Sequence, residues 1–262
     1  MKNVIQQRNE GAAMMWSSGG AAYDDISRQI ASALDHCVCR LVPKLGERLL
    51  DLATGTGWTA RLLARHGAKV TGVDIASELI AAARTQGAPE GGTITYEIGD
   101  AEALLFNDGA FDGVTSTFGI MFASRPDSVA GELVRVCRPG GRIALVVWRD
   151  DSNLVKMFEV MRHYMPPLPD TAPPSPFAWG NRACARELLG NAFDLTFEEG
   201  VTVDHDCGGR AAWVVISECY GPTKMLAKTL EPDRAAAVES DSIRLYDGVA
   251  GPLGNTVPQS IC

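Results

Sequence analysis

Short apolar runs alternate with amphipathic stretches through the middle of the chain, and this alternation predicts strands connected by helices. The runs begin at Leu49, at Lys69–Val73, at Thr93–Ile98, in a segment that ends near Thr117, and in IALVVW. An Arg-Pro-Gly-Gly turn ends a helix just before the fifth run. The predicted fold class is α/β, with a doubly wound, mostly parallel sheet and helices on both faces.

The flanking regions complete a single predicted domain over residues 1–262. Residues 1–44 are expected to be mainly helical, with a break at Gly19-Gly20. Residues 45–150 form the alternating core, and residues 151–262 begin with an amphipathic helix.

The C-terminal part is predicted from weaker patterns. A proline-rich loop, Met165–Pro176, precedes a helix over Arg182–Leu189, a strand over Leu195–Val203 and a helix over Ala211–Leu230 that breaks at Tyr220-Gly221-Pro222. Pro258 should keep a strand within Thr256–Cys262 short, at a sheet edge or absent, because proline cannot donate to a ladder.

The first apolar run leads into LLDLATGTGWTA, residues 49–60, where Asp51 precedes a turn with Gly55 and Gly57. A strand, a glycine turn and a helix N-terminus together form a cradle for a nucleotide cofactor, because glycine has no Cβ to hold the ligand off. The acid distinguishes between cofactors. It would repel the pyrophosphate of a dinucleotide, whereas S-adenosylmethionine (SAM) presents a cationic sulfonium and an ammonium group.

Two further acidic positions follow predicted strands. Asp74, 17 residues beyond Gly57, is placed to accept both ribose hydroxyls of SAM or of NAD. Asp100, with Ala101 and Glu102, is placed to accept from the adenine amino group and to present backbone N–H to the ring. Taken singly, Asp74 could instead cap a helix and Asp100 could form a turn.

The motifs DLATGTG, GVDIASELIAAAR, GDAEALLF and FDGVTSTFGIMF, followed by the Arg-Pro-Gly-Gly turn, resemble those of the class I SAM-dependent methyltransferases. The resemblance extends over Leu45–Trp148 and is nearest to the ubiquinone/menaquinone-biosynthesis-like branch of small-molecule methyltransferases. It implies a Rossmann-like fold, SAM as cofactor and S-adenosylhomocysteine as product. The chain departs from the family at Ala53, where the family has its first glycine. The cofactor-binding residues implied are Asp51, Ala53, Thr54, Gly55, Gly57, Asp74, Ile75, Asp100, Ala101, Glu102, Thr117, Phe118 and Tyr23.

Aromatic residues on both sides of the core are predicted to enclose the acceptor. The segment Trp16–Tyr23 pairs two aromatics with flexible glycines, which suits an N-terminal lid; that both aromatics are permanent core residues is an equally open alternative. A C-terminal cap supplies an aromatic roof that includes Phe177, and such a roof favours an apolar or aromatic acceptor. The substrate-binding candidates are Trp16, Trp148, Trp179 and Tyr220.

Candidate catalytic bases are few, and the catalytic residue is left unknown. His163 is a weak candidate, because on its helix it lies opposite the apolar stripe. His36, His66 and His205 have no motif around them.

Asp150, Asp151 and Asn153 follow the fifth strand and could supply ligands to a metal ion. Metal-dependent catechol-type methyltransferases use acids at this place and also need an acid after the fourth strand, where this chain has Thr117-Phe118-Gly119. We therefore predict no metal and expect the group to cap the next helix.

Composition argues against several other classes. The formal net charge of −8, without a run of like charges, opposes binding to nucleic-acid phosphates or to an acidic membrane surface. No apolar run reaches the roughly 18 residues of a membrane span, and no secretory signal is evident. Seven scattered cysteines without a C-x-x-C pair are typical of a reducing cytoplasm. The expected partner is a small-molecule substrate, and the oligomeric state stays open.

Three functions are compatible with these features. The first is SAM-dependent methyl transfer to O, C or N of a small molecule, by in-line displacement in a site that aligns the acceptor and excludes water. The second is an NAD(P)-dependent oxidoreductase, since Gly55-x-Gly57-x-x-Ala60 satisfies a loose dinucleotide pattern that Asp51 and Asp100 oppose. The third is a non-catalytic SAM-binding protein. We predict the first.

Overall fold

The computed structural model describes residues 4–167, 172–203, 208–249 and 258–261. Its main sheet consists of β1 Arg48–Leu52, β2 Lys69–Asp74, β3 Thr93–Ile98, β4 Phe111–Thr117 and β5 Cys137–Val146. The strands pair in the order β3-β2-β1-β4-β5, and every pairing is parallel. This confirms the predicted α/β class and the doubly wound sheet.

Helices cover both faces of this sheet. Leu49 and Leu50 of β1 are both completely buried, but they belong to two different hydrophobic clusters. Because successive side chains of a strand point to opposite faces, the two clusters lie on the two sides of the sheet. Burial on both faces is the reason that the central strand β1 is rich in leucine, whereas the edge strand β3 is largely exposed and alternates polar with apolar residues. The surrounding helices are α3 Ala31–Leu41, α4 Trp58–Arg65, α5 Ser77–Gln86 and α6 Pro126–Val136.

The chain before the sheet is helical, as predicted. A 3-10 turn, Gln7–Asn9, leads into α1 Glu10–Ser17, and a second one, Gly20–Ala22, separates α1 from α2 Tyr23–Gln29. The break falls at the glycine pair, where Gly20 has a φ of +55°. Both helices contribute side chains at the carboxyl-terminal edge of the sheet, Trp16 from the first and Tyr23 from the second.

The C-terminal part follows the prediction at some points only. The predicted break at Tyr220 is confirmed, because Pro222 sits in the first turn of the second helix, where its missing N–H costs no helical hydrogen bond. The strand predicted from Leu195 begins only at Gly200, and the long last helix was not predicted. The elements are α7 Asn153–Tyr164, the 3-10 helix Pro176–Gly180, α8 Arg182–Leu189, β6 Gly200–Val203, α9 Gly209–Cys219, α10 Gly221–Thr229, α11 Pro232–Val249 and β7 Pro258–Ile261.

β6 and β7 form an antiparallel pair that is separate from the main sheet. A short β7 that starts at Pro258 agrees with the limit that proline was expected to impose. The remainder of Thr256–Cys262 lies outside the described residues, as do His205 and Cys207. Among the described helices, none combines the length and apolar character that crossing a membrane requires.

Candidate cofactor and acceptor site

Two neighbouring cavities lie at the carboxyl ends of β1 to β4, beneath α1 and α2. The first, of about 70 Å³, includes Asn9 and Asp100 in its wall, and the second, of about 90 Å³, includes Tyr23 and Thr117. Open α/β sheets bind ligands at this edge. The structure brings together here most of the residues predicted for the site, namely Trp16, Tyr23, Ala53, Thr54, Gly55, Asp74, Ile75, Asp100, Ala101, Glu102, Thr117 and Phe118.

The turn after β1 has left-handed backbone at Ala53, Gly55 and Gly57, with φ of 57°, 56° and 84°. This conformation costs a non-glycine residue about 1–2 kcal/mol. The alanine methyl group has room because residue 119 is glycine, whose missing Cβ would overlap the Cβ of Ala53. Gly57 lines neither cavity. Its missing Cβ leaves room for the ring of Tyr96 underneath, so packing rather than ligand approach requires glycine there.

Asp51 lies behind the turn and lines neither cavity. It is completely buried, and it accepts hydrogen bonds from the hydroxyls of Thr54 at 2.6 Å and Thr115 at 3.1 Å. Burial raises the pKa of Asp51 to about 6, although the two threonine hydrogen bonds oppose the shift. Asp51 thus stabilises the turn through Thr54, and its charge would act on a ligand through the turn, without direct contact.

Substituting Asp51 by asparagine should change how stability depends on pH. A carboxyl whose pKa is higher folded than unfolded stabilises the fold below the unfolded value, and this contribution is lost as pH rises through the folded value. The unfolding free energy of the wild type, relative to Asp51→Asn, should therefore fall between pH 3.8 and about 6, by on the order of 3 kcal/mol. Urea unfolding across pH 4–8 measures it, and a constant difference would contradict the assignment.

Asp74 joins the end of β2 to the glycine turn. Its Oδ2 accepts from the backbone N–H of Gly55 at 2.8 Å, and its Oδ1 accepts from Ala76 N–H at 2.9 Å. Each oxygen keeps capacity for a further donor. Burial raises the pKa of Asp74, against the effect of these hydrogen bonds. Burial is the main reason that the pKa of Tyr23 is raised, and the charge of Asp74 adds to the shift. The Tyr23 hydroxyl therefore stays protonated at neutral pH.

One acid of this site was missed by sequence reasoning. Asp24, directly after Tyr23, accepts from the Trp58 indole N–H at 2.6 Å and from the Thr56 hydroxyl at 3.0 Å. It fastens α2 to the start of α4, beside the glycine turn. Its position next to Tyr23 was the one available signal for Asp24, but nothing in the neighbouring sequence indicates that Thr56 and Trp58 are its partners.

The predicted aromatic roof is more closely packed than expected. Trp148 is buried and stacks on Phe118 with ring centroids 4.0 Å apart, and Tyr220 packs against Trp16 at 5.4 Å. Trp179 lines a different cavity, of about 1120 Å³, along the outer edge of β5. Of the predicted substrate residues, Trp16 alone lines the two cavities. Phe122, which was not predicted, lines both.

The residues around α7 take other roles than expected. His163 is exposed on the last turn of α7 and lines neither cavity. The cap of α7 is Ser152, whose hydroxyl accepts from Leu154 N–H, rather than Asp150, Asp151 or Asn153. Asp151 pairs with Arg149 at 2.8 Å instead. Within the described part of the chain, no group of three or more His, Cys, Asp or Glu residues could hold a metal ion.

Comparison with known proteins agrees with the motifs. Residues 50–145 match the methyltransferase domain family. Protein Rv1405c of Mycobacterium tuberculosis is 39% identical over 146 residues, 56% of this chain and 53% of that protein. A demethylmenaquinone methyltransferase of Thermus thermophilus is 37% identical over 139 residues, 50% of this chain and 63% of that enzyme. The chain thus spans about half the length of the curated relatives it matches.

Structural similarity to known proteins extends beyond the region that is similar in sequence. The YcgJ protein of Bacillus subtilis superposes on 88% of this chain and 95% of its own, with a TM-score of 0.60 and 15% identity, which shows the fold alone. Sheet, glycine turn and strand-end acids together form a Rossmann-like α/β fold. Residues 50–145 are similar to the methyltransferase domain family, and a demethylmenaquinone methyltransferase and a ubiquinone/menaquinone biosynthesis C-methyltransferase are among the relatives of the chain. This confirms the resemblance predicted from the motifs.

Proposed function

We propose that this chain is a SAM-dependent methyltransferase that acts on a small, apolar or aromatic molecule. The observation that carries the proposal is the charge of the cavity walls. Asp74, Asp100 and Glu102 line them, and among the described residues no Lys, Arg or His does. A dinucleotide would bring its pyrophosphate to the glycine turn above the buried Asp51, with no cationic wall residue in the described part of the chain to offset the repulsion, whereas SAM brings cationic groups. The scattered free cysteines support a reducing, cytoplasmic setting.

The wall residues fit the parts of SAM in order along the sheet. We assign Asp74 to the ribose, Asp100 and Ala101 to the adenine, and the glycine turn with Thr117 to the methionine end. When bound, SAM supplies an electrophilic methyl group on its sulfonium. The residues of the chain then need to align the acceptor and keep water out.

An aromatic ring bearing oxygen is the acceptor we propose. Trp16, Phe118 and Phe122 line the cavities, and the Thermus relative is named for the methylation of demethylmenaquinone. The Tyr220 hydroxyl behind Trp16 is buried without a hydrogen-bond partner among the described residues, and movement of Trp16 would let it donate to an acceptor oxygen. Burial raises the pKa of Tyr220, as it does for Tyr23, so both are donors rather than bases.

Calorimetry with SAM, S-adenosylhomocysteine and NAD tests the cofactor assignment. We expect the first two to bind and NAD not to bind; the reverse would establish the oxidoreductase alternative. A turnover screen with quinols, phenols and polyketides then tests catalysis, with and without a chelator, which should leave the rate unchanged. Binding of SAM without turnover on any acceptor would favour the non-catalytic alternative.

A further inference from the structure

The carboxylate of Asp100 is bound by the N-terminal end of the chain. Its Oδ2 accepts from the backbone N–H of Gln6 at 3.0 Å and from the side-chain amide of Asn9 at 2.9 Å. Its Oδ1 accepts from the backbone N–H of Glu102 at 2.9 Å. Asp100 and Asn9 are 2% and 3% exposed, so these bonds lie in the interior, where their geometry is fixed.

This arrangement leaves one acceptor position of the Asp100 carboxylate unused. A carboxylate offers about four acceptor positions, and three are used, two of them on Oδ2. The remaining capacity is on Oδ1. Asp100, Asn9 and Ala101 all line the first cavity, where the adenine is assigned. A carboxylate oxygen with free acceptor capacity in this wall would accept from an amino group and repel a carbonyl oxygen.

The amide of Asn9 is itself oriented by its neighbours. Its Oδ1 accepts from the Ser124 hydroxyl at 2.8 Å, and its Nδ2 must face Asp100, because an ionised carboxylate can only accept. Arg8 anchors the same 3-10 turn independently. Its guanidinium donates from two nitrogens, at 2.9 and 2.7 Å, to the fully buried carboxylate of Glu102.

We propose that Asn9 is a positioning residue for purine recognition: with the Gln6 N–H it saturates one oxygen of Asp100 and turns the other toward the 6-amino group of adenine. The inference rests on the proposed function. It assigns to the N-terminal turn a part in selecting 6-aminopurine over 6-oxopurine ligands. If Asn9 only attached the N-terminal turn to the domain, its substitution would weaken the binding of both kinds of ligand equally.

The test is calorimetry on the full chain with two ligands, S-adenosylhomocysteine and S-inosylhomocysteine, in which a carbonyl oxygen replaces the amino group. The wild type should bind the adenosyl ligand at least about tenfold more tightly, the scale of one hydrogen bond to a charged group. In Asn9→Ala, affinity for the adenosyl ligand should fall about tenfold and affinity for the inosyl ligand by less than about threefold. The ratio between the ligands should therefore approach one.

Arg8→Ala is the matched control, because Arg8 holds the same turn but does not touch Asp100. It should weaken both ligands alike and keep their ratio. An unchanged ratio in a folded Asn9→Ala protein would overturn the inference and leave the proposed function standing. A wild type that binds neither ligand would overturn the proposed function, and the inference with it. If Asn9→Ala does not fold, Asn9→Ser keeps a polar group that is too short to reach Asp100, and the same ratio decides.

Discussion

Replacing Asp74 by alanine is expected to weaken binding of S-adenosylhomocysteine by about 1.5–3 kcal/mol, or about 10- to 150-fold. The assigned ribose hydroxyls would lose charge-assisted hydrogen bonds to a buried carboxylate. Because burial raises the pKa of Asp74, the affinity should be compared at several pH values, and the loss should be largest at the most alkaline one, where more of the carboxylate is ionised. Calorimetry on wild type and variant gives the difference directly.

The substitution also removes two hydrogen bonds to the backbone, so a loss of stability accompanies it. Asp112→Ala separates the two effects. Asp112 lies at the opposite end of the strands, where it accepts from Arg48 N–H at 2.8 Å and pairs with Arg138. That control should lower the melting temperature and leave the affinity unchanged. Wild-type affinity in a folded Asp74→Ala protein would refute the ribose assignment.

The strand ends were predictable because two local signals coincide there. β3 occupies Thr93–Ile98 as predicted, with Gly91-Gly92 before it and Gly99 after it. Glycine weakens a strand, so these residues mark its two ends. β1 and β2 are buried along most of their length; β2 ends at Asp74, and β1 ends one residue beyond Asp51. Since parallel strands end at one edge, the sequence also placed Asp74 and Asp100 side by side.

Contacts of the N-terminal segment were not predictable. Asn9 and Asp100 are 91 residues apart, and neither the turn nor the loop carries a periodic pattern. α11 was missed for a related reason. Its buried residues are Val238, Ser242 and Tyr246, so a polar side chain interrupts the apolar stripe that would have indicated a helix.

The direction in which aromatic side chains point was likewise beyond the sequence. Trp148 and Trp179 lie in the predicted region, yet one is stacked in the core and the other faces the cavity beside β5. Composition identifies a region rich in aromatics, whereas the backbone path through it determines which ring meets a ligand.

The size of the cavities gives a physical reason for the predicted lid. They measure about 70 and 90 Å³, while pockets for ligands of this size usually have about 300–1,000 Å³. Their walls must therefore move to admit SAM. Trp16 lines both cavities, and its ring lies 5.0 Å from Phe122 and 5.4 Å from Tyr220. Moving the Trp16–Tyr23 segment would join the cavities and expose Tyr220.

The structure also gives the segment more contacts than the sequence indicated. The Ser18 hydroxyl donates to the carbonyl of Gly221 at 3.1 Å, and the missing Cβ of Gly221 leaves room for the backbone of Met15. α1 therefore packs closely on the junction of α9 and α10. Opening of the Trp16–Tyr23 segment must either break these contacts or move α9 and α10 together with α1. We therefore expect the cofactor side and the acceptor side of the site to open together.

Deleting residues 1–22 tests the lid against the alternative of a permanent core. If Trp16–Tyr23 is a lid, the truncated protein should fold, bind SAM more weakly and turn over very slowly, because water reaches the sulfonium and the acceptor is not aligned. If these residues are core, the same deletion should lower the melting temperature sharply or prevent folding. Amide hydrogen exchange on the intact chain distinguishes the two without any acceptor. Residues 12–25 should exchange faster than β1 and β4 in the free protein and slow when S-adenosylhomocysteine binds. Strong protection that the ligand leaves unchanged would rule the lid out.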